Sequence, residues 1–322
     1  MILVTGGLGF IGLHTVRRLL DMGEEVVATY HRAWAAPSFL ESEYGKRVHV
    51  EQMDLTNPYT IFQVGSKYNI TGIVHLVVPP LGASPPSEQY RINTVALYNV
   101  LEAGRLWSVK RVTIASSVAV YSGETAGPFR EDMKLRIQAD NTTEAFKKAE
   151  ETMALFYGSA TGLDVVSARI AFIFGPMYNK QRRLRHVPMT FIQQACRAAV
   201  DGKPFDPDFL PESGFSEGMA MDFTYVKDTA LGLATLQTAG SLPNRIYNVS
   251  IGQATTLREV VQAIQKVRPD AQIPLNDGTP PGVRPNPYLD IGLLQKDTGF
   301  KPEYGLEGGI ADYMTWLEHN AE

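Results

Sequence analysis

The sequence predicts an α/β fold built on a parallel sheet covered on both faces. Three observations carry that expectation. Short strand-like runs alternate with helical patterns through the first half of the chain. Those runs are rich in Val and Ile, as in strands buried on both sides. The first strand meets the first helix through a cluster of glycines.

Taken in order, Ile2 to Thr5 is apolar and β-branched, and Ile11, Val16, Leu19 and Leu20 follow in a helical pattern that Gly23 ends. "EEVVATY" predicts a second strand, "RVHVEQMDL" a third and "GIVHLVV" a fourth, stopped by Pro79 and Pro80. A long helix is expected from roughly Glu88 to Leu106, and "KRVTIASS" is a fifth strand. "ADNTTEAFKKAEE" opens another helix that runs to about Thr161, and "LDVVSARIAFIFGP" holds a sixth strand. After Gly175 the pattern is irregular, with residues 176–221 rich in Pro, Arg, Met and Phe. "MDFTYVKD" reads as a return to the sheet domain. Beyond about Ile251 one clear helix, "TLREVVQAIQKV", and a Pro/Gly-rich segment follow.

Composition narrows the class. Of 322 residues, 44% are hydrophobic and 20% charged, which predicts a packed core. A formal net charge of -4 gives no general attraction to nucleic acid or to an anionic membrane. Cys196 is the only cysteine, so no intrachain disulfide forms, which fits a reducing compartment. No apolar run approaches the roughly 18 residues of a membrane helix. The chain leads straight into a strand with no room for a signal peptide, so a cytoplasmic location is expected. No metal site is expected.

The stretch "VTGGLGFIG", Val4 to Gly12, places Gly6, Gly9 and Gly12 in a GxxGxxG pattern between strand and helix. Gly6 suits a tight turn, Gly9 lets the backbone approach a pyrophosphate, and Gly12 lets helix and strand pack closely. The helix N-terminus offers unpaired N–H groups to an anion, with Phe10 and Ile11 at its start. The predicted fold is thus a Rossmann doubly wound parallel sheet with a smaller C-terminal substrate lobe. The dinucleotide-binding domain is expected over residues 1–175 plus about 222–250. The substrate lobe is expected over about 176–221 plus 251–322.

On these motifs the chain resembles an extended short-chain dehydrogenase/reductase of the NAD-dependent epimerase/dehydratase family. "RINTVALYNVLEAGR" resembles that family's helix with a structural Asn, here Asn93, and "SSVAVYS" resembles its SSxxVYG strand end. "RIAFIFGP", "DFTYVKD", "YNVSIGQ", "GVRPNP" and "LLQKDTGFKP" follow in the family order. The resemblance implies that Asp54 and Leu55 contact the adenine of the cofactor. It implies NAD or NADP. At the end of the second strand Tyr30 takes the place of the usual acid, followed by His31 and Arg32, so NADP is preferred with Arg32 facing its 2′-phosphate.

The resemblance also implies a Ser, a Tyr and a Lys in catalysis. Ser117 matches the Ser, four residues before Tyr121. The Tyr-xxx-Lys pair has two registers: Thr143 with Lys147, or Glu144 with Lys148. The first is favoured because an acid, Glu151, stands four residues past Lys147. Either way no tyrosine is present. Lys147 is expected both in catalysis and at the nicotinamide ribose. A threonine hydroxyl does not titrate near neutral pH. Three options therefore stand: a substitute acid (Tyr121, Glu144, Tyr178 or His186), a Ser117–Thr143–Lys147 relay through water, or a cofactor-binding site with little chemistry.

The same stretch also reads as an ordinary helix start. Asn141 and Glu144 form a capping-box-like pair, Glu144–Lys148 and Lys147–Glu151 are ion pairs, and Phe146, Ala149, Met153 and Phe156 make a packing face. Substrate contacts are expected from Tyr178, from the basic loop of Arg182, Arg183, Arg185 and His186, and from Arg284. The expected function is NAD(P)-dependent oxidation, reduction or epimerisation at a carbinol carbon of a sugar nucleotide, sugar acid or other polyhydroxylated small molecule. The alternative is a cofactor-binding sensor of the same fold. A homodimer through the helices near 88–106 and 142–161 is implied by the resemblance.

Overall fold

The computed structural model describes residues 1–32, 38–78, 85–178 and 188–320. Strands and helices alternate as β1 (Ile2–Thr5), α1 (Phe10–Asp21), β2 (Val26–Tyr30), β3 (Val48–Gln52), α2 (Pro58–Lys67), β4 (Gly72–His75), α3 (Pro86–Leu106), β5 (Val112–Ser117), α4 (Thr142–Thr161) and β6 (Val165–Ile170). The remainder comprises β7 (Phe172–Phe174), α5 (Pro188–Asp201), β8 (Ala220–Met221), β9 (Phe223–Tyr225), α6 (Val226–Thr238), β10 (Ile246–Val249), β11 (Thr255–Thr256), α7 (Leu257–Val267), α8 (Gly292–Thr298) and α9 (Gly305–His319).

Seven strands form one parallel sheet in the order β10-β6-β5-β4-β1-β2-β3. The period-two pleat divides each strand between two apolar layers. Leu3, Val27 and Ile73 face α2, α3 and α4, where they meet Ile61, Leu97, Val100 and Ala154. Ile2, Val4, Val26, Ala28 and Val74 face the other way, onto Leu13, Val16, Leu19 and Leu20 of α1 and Ala234 of α6. With both faces covered, the strands need no polar alternation, which is why they read as continuous apolar runs.

The chain leaves β1 to build β2 and β3 on one side, then returns to build β4 on the other. The carboxyl ends of β1 and β4 therefore diverge at a switch point, where a crevice opens.

Beyond Gly175 a second, smaller sheet forms. "DFTYVKD" does not rejoin the large sheet: β9 pairs in parallel with β7 in a separate two-stranded sheet. It is β10 that returns, beside β6. The cause is the expected sixth strand itself, which divides at Ala171 into β6 and β7. One apolar cluster joins Val166, Ala168, Tyr247 and Val249 of the sheet to Phe191 of α5, Ile264 of α7 and Met314 of α9. The C-terminal helices thus share their core with the sheet.

Asp222 ties the start of β9 to the segment at Leu289. Its carboxylate is fully buried and accepts from Leu289 N and Thr224 Oγ1, both at 3.0 Å. Burial outweighs these bonds and pushes its pKa up to about 6. A carboxyl held above its unfolded pKa near 3.9 stabilises the fold fully below about pH 4, and that contribution is lost as the pH rises to about 6. Asp222→Asn has no such dependence. Between about pH 4 and pH 7 the stability of this variant relative to wild type should therefore rise by on the order of 3 kcal/mol, on top of a constant offset, in paired urea unfolding curves.

Candidate active site

The crevice is a cleft of about 930 Å³. It is lined by Gly6, Gly9, Phe10, Ile11, Gly12, Arg32, Asp54 and Leu55 together with Ser117, Thr143, Lys147 and Tyr178. Most of the residues singled out in the sequence thus share one surface.

The glycine loop forms its floor. Gly6 has φ 68°, a left-handed conformation that suits glycine. A Cβ on Gly12 would stand 2.1 Å from Gly6 O. The close approach at Gly12 is therefore to the loop's own backbone, rather than to the strand as expected. Gly7, which the motif passed over, is the residue that packs on β2: its added Cβ would lie 2.9 Å from Ala28 Cα. Thr29 completes the turn, its Oγ1 accepting from Gly6 N at 3.1 Å.

The first helical bond at this end runs from Leu13 N to Gly9 O, at 2.9 Å. The amides of Phe10, Ile11 and Gly12 precede it in the chain and face the cleft at the positive end of the helix dipole. No acidic side chain occupies that first turn. The loop fits a pyrophosphate.

At the far end of the cleft, β5 and α4 bring together Ser117, Thr143 and Lys147. Ser117 Oγ accepts from Ala119 N at 3.1 Å, capping the turn that follows β5. Asn141 caps α4, its side chain accepting from Glu144 N at 3.0 Å. The helix therefore starts with Thr143 and Lys147 one turn apart on the cleft side. Lys148 points elsewhere, to Glu144 Oε1 at 2.7 Å, and Glu144 is buried behind it.

The expected Lys147–Glu151 ion pair is not formed. Lys147 Nζ instead donates to Glu150 Oε2 at 2.6 Å and to Ala115 O at 2.5 Å. Glu151 turns to β6, where it takes both Nε and Nη2 of Arg169, at 2.9 and 2.8 Å, and the Ser167 hydroxyl at 3.0 Å. Both acids are buried, so each takes the donor nearest its own face of the helix.

Tyr121 is corrected as a substitute acid. It is fully buried outside the cleft, its oxygen accepting from Arg169 Nη1 at 2.7 Å while its O–H donates to Asn248 Oδ1 at 2.9 Å. Burial pushes its pKa up to about 12, against the pull of Arg169. Arg284 is exposed and does not line the cleft. Arg182, Arg183, Arg185 and His186 lie outside the described residues. Tyr178 stands at the cleft edge-on to Phe10, ring centroids 5.2 Å apart.

A family model, described as the NAD dependent epimerase/dehydratase family, matches residues 2–250. The chain belongs to this family. It is 27% identical to a UDP-glucose 4-epimerase of Caenorhabditis elegans, over 100% of this chain and 98% of that protein. Its fold is similar to that of UDP-glucose 4-epimerase from Thermotoga maritima, with TM-score 0.79, 19% identity and coverage of 99% and 98%. It is also similar to MoeE5 in complex with UDP-glucose and NAD, with TM-score 0.74, 26% identity and coverage of 99% and 98%. As a family member the chain is an enzyme class that uses NAD(P). Among the described residues no helix is long and apolar enough to cross a membrane.

Sequence reading passed over two buried groups beside Lys147, which are Glu150 and His75. His75 looked like a strand residue, yet its Nδ1 shares a hydrogen bond with Thr5 Oγ1 at 2.7 Å and its Nε2 lies 3.9 Å from Glu150.

Tyr121→Phe tests the correction. It strands Arg169 Nη1 and Asn248 Oδ1 in the core, at a cost of about 1–3 kcal/mol in chemical unfolding. Nicotinamide coenzyme affinity, read by fluorescence titration, should not change.

Proposed function

We propose that this family member oxidises and re-reduces, or epimerises, a carbinol carbon of a sugar nucleotide. The observation that carries the reading is the continuity of the cleft, which joins an anion-binding helix start to Ser117, Thr143 and Lys147. The sugar-nucleotide class is supported by the relatives, which are named for UDP-glucose and UDP-glucuronate.

Gly6, Gly9, Phe10, Ile11 and Gly12 would hold the pyrophosphate, Asp54 and Leu55 the adenosine end, and Lys147 the nicotinamide ribose. The cofactor supplies a hydride acceptor and donor. Ser117 and Thr143 supply hydroxyls that orient the reacting oxygen. Tyr178 is proposed to meet the substrate at the cleft. Arg182 and His186, outside the described residues, and Arg284 are proposed as further substrate contacts. A binding protein with little turnover is the second reading, favoured by the hydroxyl at Thr143 where a phenol is expected.

NADP is the preferred form. Tyr30, His31 and Arg32 line the cleft at the end of β2, and none is an acid. Arg32→Ala should weaken NADPH by about 10- to 100-fold while moving NADH by less than about threefold, in parallel titrations. An equal loss for both would transfer the preference to NAD.

A homodimer through α3 and α4 is proposed as well. Phe156 is 75% exposed, Tyr90 63%, Tyr98 58% and Met153 40%, an apolar stripe that these two helices leave uncovered in the single chain. Sedimentation at micromolar concentration should give twice the chain mass, and Phe156→Asp should give a monomer.

A further inference from the structure

Replacement of a phenol by Thr143 leaves the reaction without a proton carrier at that position. A buried carboxylate stands directly behind the cleft. Lys147 lines the cleft, and its Nζ bonds Glu150 Oε2 at 2.6 Å. The two side chains are 9% and 11% exposed, so no bulk water separates them. On the far side of Glu150, Oε1 lies 3.9 Å from His75 Nε2. Burial and the Lys147 cation pull the His75 pKa down to about 3, so the imidazole is neutral at working pH.

Among the described residues, the titratable groups acting on Glu150 are Lys147 and Glu151 on its own helix and His75 on β4. On β5, Ala115 offers Lys147 only a carbonyl. Burial raises the proton affinity of Glu150, Lys147 lowers it, and Glu151 adds to the rise. Helix anchoring does not need this pair, because Glu151 and Arg169 already tie α4 to β6 through two bonds.

The geometry points to Lys147 and Glu150 as a two-member proton relay, in which Lys147 meets the substrate oxygen and Glu150 is the terminal proton carrier. This inference rests on the cofactor site described under the proposed function. In oxidation of a carbinol, an Nζ–H bond of Lys147 breaks and an O–H bond forms on Glu150 Oε2. Rotation about the Cε–Nζ bond turns the lone pair so exposed toward the cleft, where it takes the proton of the substrate hydroxyl. The substrate C–H electron pair leaves as hydride to the oxidised nicotinamide. Lys147 ends as the ammonium it began as, and Glu150 ends as a neutral acid. Reduction of the carbonyl reverses each bond. Glu150 touches no substrate and is a positioning residue and proton store acting through Lys147.

Wild type, Glu150→Gln and Glu150→Asp are compared first without substrate, by NADH and NADPH fluorescence titration from about pH 6 to about pH 10. If wild type binds neither coenzyme, the cofactor-site reading fails and the relay falls with it. If it binds, the relay is judged alone. Glutamine keeps the shape but cannot take the proton, so coenzyme affinity should stay near wild type and the effect should fall on turnover. Lost coenzyme affinity with kcat unchanged overturns the relay, since it would mark Glu150 as a structural group. On UDP-glucose or UDP-glucuronate, Glu150→Gln should lower kcat by about 10²- to 10⁴-fold with little change in KM. Should the glutamine variant fail to fold, Glu150→Asp decides. Its carboxylate is withdrawn by one methylene, so the binding profile should stay near wild type while kcat falls at least about tenfold. Wild-type kcat in that variant overturns the proposal.

Discussion

Helix α4 carries its charges inward, and the rest of the site depends on that constraint. Lys147, Glu150 and Glu151 occupy little more than one helical turn, and all three are buried. A buried charge without a partner costs several kcal/mol, so each must find a fixed group. Lys147 reaches Ala115 on β5, Glu150 takes Lys147 and neighbours His75 on β4, and Glu151 clasps Arg169 on β6. Three strands thereby hold the rotation of one helix. Successive helix residues differ by about 100° in direction, so a slip of one residue would break the contacts to all three strands together. The face presented to the cleft, with Thr143 and Lys147, follows from partners that lie behind it.

The glycine loop imposes a second constraint, and the two are connected through β1 and β4. Thr5 ends β1 and leads into Gly6, and it bonds His75 at the end of β4. His75 in turn backs Glu150. The glycine loop and Glu150 thus share a buried polar line across the switch point of the sheet. Because His75 is held neutral, this line carries hydrogen bonds without adding charge beside the pair.

Much of the sheet was legible because its signals are local. Val and Ile runs, Gly23 after α1, and the glycines before α1 each report on a few adjacent residues. The start of α4 was legible for the same reason, since Asn141 and Glu144, which form its cap, lie within one stretch. What escaped is what depends on distant partners. The pairing of β7 with β9 joins segments some fifty residues apart in the chain, and nothing in "DFTYVKD" distinguishes a small sheet from a large one. Tyr121 looked available because a phenol near a catalytic serine suggests chemistry. Only Arg169 and Asn248, far off in sequence, show that it is a core hydrogen-bonding group. Glu150 was hidden by its neighbours: in "KKAEE" either acid can pair with either lysine, and only the strands below decide.

The pairing of Lys147 also accounts for a threonine at position 143. An isolated ammonium in a cleft projects its charge several ångströms and favours ionisation of a nearby phenol. Lys147 sits 2.6 Å from a carboxylate, so its field beyond the pair is that of a dipole, which falls off faster with distance. Such a pair has less power to activate a tyrosine at position 143, and Thr143 asks for no activation. The proton that a phenol would have carried instead has a path into the pair itself. On this reading Thr143 and the Lys147–Glu150 pair belong together: a cation neutralised by a carboxylate tunes its neighbour little and handles the proton directly.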